Sequence, residues 1–278
     1  MDLLPLSELA IQAALEAGKV IQEYMQREVA VEKKEGGASY ASQVVTVVDK
    51  ASEEVIMSHL LPSCETHDLA LLSEETEDDG SRFEKAYFWC IDPLDGTLPF
   101  INKYPGFSVS IALVAQDGTP QIGVVFDPST DTLYHAVKGQ GAFKNQKVWK
   151  PQPQNHFLTY VTDRTLAETP RADEIQAFLD KKTAELGLTE IREKSGAGAV
   201  LNAIFVLENG PACMLKFPKK AQGGGSIWDY AATACFYQEL GLPATNYEGG
   251  QLDLNKQEGS FMNHEGVFFG NWGREEHH

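Results

Sequence analysis

The sequence predicts an α+β fold, because helical and strand-like segments are mixed along the chain of 278 residues without a regular alternation. Apolar residues recur at helical spacing in the N-terminal segment, whereas short apolar runs bounded by polar residues follow between residues 69 and 143. Turn signals separate the runs after residue 107, which favours antiparallel hairpins.

Two helices are predicted at the start of the chain. Over residues 7–25, apolar side chains recur at intervals of three and four residues, and Ser7 is placed to cap the first turn. A second helix is predicted to begin after Asp49 and to stop before Pro62, because a helical conformation is disfavoured in the residue that precedes a proline. Residues 44–48 are predicted to form a short strand that ends at Asp49.

The remaining elements predict one domain, residues 1–278, made of two packed lobes. Strands are predicted at residues 69–72, 87–91 and 107–114, followed by an antiparallel meander over residues 123–143. A polar, proline-containing stretch at residues 150–153 marks the expected boundary between lobes of about residues 1–150 and about 151–270. The second lobe is predicted to contain strands at 157–161 and 212–217 and helices at 172–186, 199–208 and 228–240.

Composition narrows the class of partner and the compartment. Lysine plus arginine number 23 and aspartate plus glutamate 40, and the resulting net charge of −17 disfavours binding to a nucleic-acid polymer or to anionic lipid. No apolar run approaches the roughly 20 residues that span a bilayer, and the acidic N-terminus does not resemble a secretory signal. We therefore expect a cytoplasmic protein whose four widely spaced cysteines are free thiols.

Paired aspartates in the segment 92–97 (Asp-Pro-Leu-Asp-Gly-Thr) are the most informative feature of the sequence. An apolar strand ends at Asp92, a proline fixes the exit of the chain, and Asp95 follows three residues on. Both carboxylates are therefore expected to point into one hollow at the end of the strand. Two carboxylates about 4 Å apart repel by about 4 kcal/mol at an effective dielectric of about 20, against the roughly 5–15 kcal/mol of stability of a whole domain. A hard cation with oxygen ligands, such as magnesium, is needed to compensate this repulsion.

Further acids lie at the ends of other predicted elements. Glu74 and Glu75 follow a strand, Asp229 lies in the first turn of the last long helix, and Asp49 lies at the predicted start of the second helix. Each also has a purely structural explanation: Asp49 as an N-cap, Asp229 as part of a capping box with Ser226, and residues 74–79 as a solvated acidic loop. The residues alone leave these alternatives open.

Together these motifs resemble the inositol monophosphatase family, which includes inositol monophosphatases, 3'(2'),5'-bisphosphate nucleotidases and related bisphosphatases. The matching pieces occur in family order: Val-Thr-Val-Val-Asp at 45–49, Ser-Glu-Glu at 73–75, Asp-Pro-Leu-Asp-Gly-Thr at 92–97 with Phe-Ile at 100–101, and Trp-Asp at 228–229. The resemblance implies a layered α/β/α/β/α sandwich of the inositol monophosphatase and fructose-bisphosphatase type. It also implies a magnesium-dependent, lithium-sensitive phosphatase acting on a small phosphorylated metabolite, and a homodimer is expected because dimers are common in the family.

The resemblance assigns roles to particular residues. It implies two or three magnesium ions, one held by Glu74, Asp92 and the Leu94 carbonyl and a second held by Asp92, Asp95 and Asp229. The resemblance also implies that Asp229 borders the bound substrate.

The attacking water and the phosphate group have their own implied residues. Thr97, oriented by Asp49, would hydrogen-bond the water that attacks phosphorus, and Glu75 lies beside the site. The backbone amides of Gly96 and Thr97 would bind phosphate oxygens.

Departures from the family pattern concern the substrate. Residues 97–100 read Thr-Leu-Pro-Phe where many inositol-hydrolysing members have Thr-Asn-Phe, and Lys216 stands where sugar-hydrolysing members often carry a glutamate. A lysine favours a second anionic group, and hence a nucleoside 3'(2'),5'-bisphosphate over inositol 1-phosphate or a sugar phosphate. The alternative to a substrate-binding role is that residues 216–225 form a solvated basic loop. Ser195, Gly198 and Ala199 lie where the family lines its leaving-group pocket.

Two other classes compete with this assignment. Haloacid dehalogenase-like phosphatases use an Asp-x-Asp-Gly-Thr string whose first aspartate is the nucleophile, but here two residues separate the acids, and Asp229 has no role in that scheme. The non-enzymatic alternative is an acidic protein that binds cations or regulates a partner without turnover.

Overall fold

The computed structural model describes residues 1–26, 40–163, 166–169, 171–221 and 223–272, with the side chains of residues 40–46 and 168 outside the described part. Two long helices open the chain and the other helices are dispersed among strands. The α-helices of the described residues are α1 (Leu3–Gln26), α2 (Tyr40–His67), α3 (Thr97–Ile101), α4 (Ala172–Glu185), α5 (Ala199–Glu208) and α6 (Ile227–Leu240).

Twelve strands form two sheets in the described part of the chain. The first sheet has the order β1-β2-β3-β4-β5-β6-β7, in which only β1 and β2 are parallel. It comprises β1 (Ala70–Ser73), β2 (Tyr87–Asp95), β3 (Ser108–Ala115), β4 (Pro120–Asp127), β5 (Thr132–Val137), β6 (Gly141–Lys144) and β7 (Lys147–Val148). The second sheet has the order β11-β12-β10-β8-β9 and mixes parallel and antiparallel pairs. It comprises β8 (Leu158–Thr162), β9 (Ile191–Ser195), β10 (Ala212–Lys216), β11 (Ala244–Thr245) and β12 (Val267–Asn271).

Five layers result, because side chains alternate between the two faces of each sheet. Helices α1 and α2 cover one face of the first sheet around Ile56, Trp89 and Ile111. Helices α5 and α6 lie between the two sheets, and α4 covers the outer face of the second sheet. The α+β prediction and the layered α/β/α/β/α sandwich are confirmed. Among the described residues, no helix is both long and apolar enough to cross a membrane.

The predictions for the second helix were wrong at both ends. Helix α2 begins at Tyr40, so residues 44–48 are helical and Asp49 lies inside the helix rather than at its start. The run of valines has strand propensity, but Val48 is fully buried on the helical layer beside α1, and tertiary packing overrides propensity. The helix also continues past Pro62 to His67. The sequence analysis missed the short helix α3 and the strands β7, β9, β11 and β12, which are two to five residues long.

Helix α6 approaches the first sheet unusually closely at Gly123 of β4. A Cβ atom on Gly123 would lie 2.2 Å from the carbonyl oxygen of Ala232 in α6, closer than any van der Waals contact. Since Asp229 belongs to the first turn of α6, this contact helps to fix the depth at which that carboxylate lies. On the opposite face, a Cβ on Gly18 of α1 would meet the ring of Phe126 at the same distance.

We expect Gly123→Ala to destabilise the fold by about 1–3 kcal/mol, the usual cost of overpacking a core against backbone atoms. Gly18→Ala is the matched control. There the obstacle is a side-chain ring that can move, and alanine in place of glycine stabilises a helix by up to about 1 kcal/mol. Urea unfolding of both variants measures the two effects. An equal or larger loss of stability in Gly18→Ala would contradict the conclusion that the backbone of α6 leaves no room for a side chain at Gly123.

Candidate active site

The carboxylates of Asp92 and Asp95 lie at the carboxyl end of β2, and both residues are at least nine-tenths buried. The register between β2 and β3 shifts between them, so this segment departs from a regular strand. The Leu94 amide donates to Asp92 Oδ1 at 3.0 Å, which holds the Asp92 side chain against its own loop. The paired aspartates are thus fixed by backbone geometry.

The start of α5 binds the carboxylate of Asp95. The amides of Ala199 and Val200 donate to its two oxygens, each at 3.0 Å. Gly198 makes this approach feasible, because a Cβ there would lie 2.2 Å from Asp95 Oδ2. A helix N-terminus stabilises negative charge, so these two amides favour the ionised form of Asp95 and lower its pKa against the effect of burial.

Asp229 joins the same cluster from α6. One oxygen from each of Asp92, Asp95 and Asp229 lies within 4.8 Å of the others. Asp229 also accepts a hydrogen bond from the Ser226 amide at 2.5 Å in a complete capping box, so the capping and clustering explanations both hold. Ser110, opposite Asp92 in the sheet, donates to the carbonyl of Trp228 at 3.3 Å and ties the start of α6 to this site.

Glu74, Glu75 and Asp49 extend the acidic site on the side of β1 and α2. The Glu74 amide donates to the Ile91 carbonyl at 3.2 Å, which places this turn beside β2. Desolvation raises the pKa of Glu74 to about 7, and Asp229 adds to the rise. Desolvation likewise raises the pKa of Asp49 to about 8, with further contributions from Glu75 and Glu74. All three acids therefore lie in one electrostatic neighbourhood.

Burial and mutual repulsion raise the pKa values of the central pair as well. Desolvation raises the pKa of Asp92 well above its ordinary value, and the carboxylates of Glu74, Asp95 and Asp229 raise it further. Desolvation also raises the pKa of Asp95, and the carboxylate of Asp229 raises it further. A divalent cation removes this repulsion, and a set of carboxylate oxygens is the donor chemistry that magnesium prefers. The residues present therefore fit a hard metal ion.

Gly96 and Thr97 lie where β2 passes into α3. Gly96 has a φ of +85°, and a Cβ there would lie 2.4 Å from the Gly106 carbonyl oxygen, so only glycine fits the turn. Thr97 is the first residue of α3 and is exposed. Ser195, also exposed, ends β9. The proposed roles of these residues in binding phosphate, water and leaving group stay predictions.

Lys216 ends β10 beside the carboxylate cluster. Its ammonium group forms an ion pair with Asp163 at 2.7 Å, and its charge lowers the pKa of both Asp95 and Asp229. Burial alone disfavours the charged form of this lysine, but Tyr230, Asp163 and Asp229 outweigh that effect and raise its pKa. Lys216 is thus a half-buried cation whose charged form is stabilised by Asp163 and Asp229.

A cavity of about 380 Å³ opens beside Lys216, between the ends of β8 and β10 and the loop that follows β10. Its wall includes Asp163, Arg171, Met214, Phe217 and Lys219. The sequence analysis missed Asp163 and its partner Asn202, whose amide group donates to Asp163 Oδ1 at 2.9 Å. No local motif marks these two residues, because β8 and α5 meet only in the folded chain.

Fold and site together define a layered α/β sandwich with a carboxylate cluster at a strand end that could hold a metal ion. The family model for the inositol monophosphatase family matches residues 2–272. The chain belongs to the inositol monophosphatase family.

Relatives and solved structures are consistent with this membership. "Inositol monophosphatase 3" of Solanum lycopersicum is 30% identical over 253 residues, covering 89% of this chain and 88% of the relative. "Nus factor SuhB" of Escherichia coli strain K12 is 38% identical over 141 residues, covering 51% of this chain and 50% of the relative. The crystal structure of CysQ from Bacteroides thetaiotaomicron, described as a bacterial member of the family, superposes with a TM-score of 0.77 at 25% identity and 98% coverage of both chains.

We expect the metal-free protein to lose stability as the pH rises from about 4 to about 8. The pKa of Asp49 is raised from 3.8 to about 8 and that of Glu74 from 4.5 to about 7. Stability from such groups is fully present below the unfolded pKa and is lost as the pH rises through the folded pKa. Thermal unfolding in a chelator should show this fall, which should be smaller in Asp49→Asn and largely removed by magnesium. Parallel curves of Tm against pH for the wild type and Asp49→Asn would contradict the raised pKa of Asp49.

Proposed function

We propose that this phosphatase is a magnesium-dependent phosphomonoesterase whose substrate is a nucleoside 3'(2'),5'-bisphosphate. Membership of the inositol monophosphatase family carries the phosphatase activity. The observation that carries the substrate class is Lys216, a half-buried cation between the acidic cluster and a cavity large enough for part of a small molecule.

The acidic cluster is the proposed metal centre. Glu74, Asp92 and the Leu94 carbonyl would hold one ion, and Asp92, Asp95 and Asp229 a second, with a third ion as the family allows. When bound, such ions supply the positive charge that activates a water molecule and stabilises the charge developing on the leaving oxygen. The clustering of Asp92, Asp95 and Asp229 within 4.8 Å supports this set.

The protein's own polar groups would orient the reactants. Thr97, exposed at the start of α3, would hydrogen-bond the attacking water, and Asp49 would orient Thr97. The amides of Gly96 and Thr97 would bind phosphate oxygens. Because every reacting group is then positioned in advance, no covalent phosphoenzyme is needed.

Lys216 supports a substrate that carries a second anionic group. A glutamate at this position would accept hydrogen bonds from sugar hydroxyls, whereas an ammonium group binds phosphate. Arg171 packs over the Phe217 ring at 3.7 Å and, with Lys219, adds positive charge to the cavity wall. We therefore prefer the bisphosphate nucleotide over inositol 1-phosphate or a sugar phosphate, which remain the alternatives.

The proposed partner is a small phosphorylated metabolite in the cytoplasm. A net charge of −17 disfavours nucleic-acid polymers, because an acidic surface repels the phosphate charges along their backbones. Metal ions bound at one local site would not compensate that repulsion. The relative from Escherichia coli is named a Nus factor, and that name applies to that protein. A homodimer stays a prediction.

Phosphate release in the presence of magnesium should distinguish the candidate substrates. We expect adenosine 3',5'-bisphosphate to be hydrolysed with a higher kcat/KM than inositol 1-phosphate or a sugar bisphosphate. Asp92→Asn should lower turnover by at least about a hundredfold, because it removes a ligand that both ions share. Asp180→Asn, on the exposed surface of α4, is the control. Near-normal turnover in a folded Asp92→Asn protein would exclude the proposed centre.

Lys216→Glu should penalise doubly phosphorylated substrates selectively. Loss of a charge-assisted hydrogen bond costs about 1.5–3 kcal/mol, so we expect roughly a ten- to hundredfold fall in kcat/KM for the bisphosphate. Lys216→Gln adds no negative charge and should act in the same direction but less strongly, while Lys181→Glu on the exposed face of α4 is the control. Equal effects on singly and doubly phosphorylated substrates would defeat this role.

A further inference from the structure

One face of α2 points toward both loops that carry the candidate metal ligands. Asp49, Ser52 and Glu53 lie three and four residues apart, which places them on the same side of the helix. The family motif covers Asp49, but Ser52 and Glu53 belong to no motif recognised in the sequence. Both are nevertheless bonded to residues of the acidic site.

Glu53 holds the turn that carries Glu74 and Glu75. Its Oε1 atom accepts a hydrogen bond from Ser73 Oγ at 2.5 Å and another from Thr76 Oγ1 at 3.0 Å. The two donors immediately precede and follow the glutamate pair. A single carboxylate oxygen therefore fixes both ends of this four-residue turn to α2.

Ser52 holds the other loop. Its hydroxyl is completely buried and donates to the Pro93 carbonyl at 2.8 Å, between Asp92 and Leu94. A buried carbonyl that loses its donor costs about 1–3 kcal/mol, so the contact constrains the path of the chain at this point. The neighbouring residues Ser52 and Glu53 thus bind one ligand loop each.

Helix α2 is continuous along this stretch, and the two loops also contact each other through the hydrogen bond from the Glu74 amide to the Ile91 carbonyl. Two contacts from adjacent residues of one helix then fix the separation of the loops. We propose that Ser52 and Glu53 are positioning residues that set the spacing between the Glu74 loop and the Asp92 loop, and so the affinity of the site for magnesium. This inference rests on the proposed metal centre.

Glu53 has another conceivable role, because a carboxylate near a metal site is itself a candidate ligand. The geometry separates the two roles. Both hydrogen bonds reach the same oxygen, and the side-chain carbonyl of glutamine can accept them equally. Glutamine therefore keeps the positioning contacts while it removes the charge, and alanine removes both.

The experiment titrates the whole chain of 278 residues with magnesium alone. Calorimetry and the shift in Tm measure the binding, so no substrate is needed. Glu53→Ala and Ser52→Ala should each weaken magnesium binding by roughly 10–100-fold, the usual effect of losing an outer-shell contact. Glu53→Gln should recover most of the affinity lost in Glu53→Ala. Glu54→Ala and Ser58→Ala, exposed on the same helix, are the matched controls and should bind as the wild type does.

Each outcome is decisive. Unchanged magnesium affinity in Glu53→Ala and Ser52→Ala, with only a lower Tm in the absence of metal, would overturn the positioning role and leave the proposed function standing. Equal losses in Glu53→Gln and Glu53→Ala would show that the charge acts directly, which also overturns it. A wild-type protein that does not bind magnesium would overturn both the metal centre and this inference. In phosphate-release assays, saturating magnesium should restore kcat in both alanine variants with little change in KM.

Discussion

The mutual repulsion of buried carboxylates is the constraint on which the rest of the site depends. Asp92, Asp95 and Asp229 each place an oxygen within 4.8 Å of the others, and Glu74 and Asp49 add to the same field. At an effective dielectric of about 20, one such pair costs about 4 kcal/mol, so several pairs approach the whole stability of a domain. The fold must therefore hold these groups in place against their own repulsion.

The chain meets this constraint mainly with backbone groups and helix ends. The first two amides of α5 bind Asp95, the capping box of α6 binds Asp229, and the Leu94 amide binds Asp92. Backbone donors are fixed by the fold and carry no net charge, so they leave the site able to attract a cation. In the described part of the chain, Lys216 is the cationic side chain whose charge acts on both Asp95 and Asp229, and Asp163 in turn holds Lys216.

Much of the architecture could be predicted from local pattern, and the failures have a common cause. The strand Tyr87–Asp95, the helix Ala199–Glu208 and the helix Ile227–Leu240 were predicted nearly in full, because they follow from apolar patterns that are strong at short range. The strand prediction for residues 44–48 was wrong because valines at consecutive positions favour a strand locally, whereas the packing of α2 against α1 makes this segment helical. That error placed Asp49 at the end of the helix instead of inside it, on the same side as Ser52 and Glu53.

The two sheets contribute to different parts of the site. The first sheet and the turn after β1 carry Glu74, Asp92 and Asp95, which are the metal ligands of the proposed function. The second sheet carries Lys216 and part of the wall of the cavity that, under the proposed function, would bind the substrate. Asp229 lies on α6, the layer packed between the sheets, and is the link between them. Under the proposed function, substrate preference would diverge within this fold while the chemistry stays constant, because Lys216 and the proposed metal ligands of the first sheet lie in different layers.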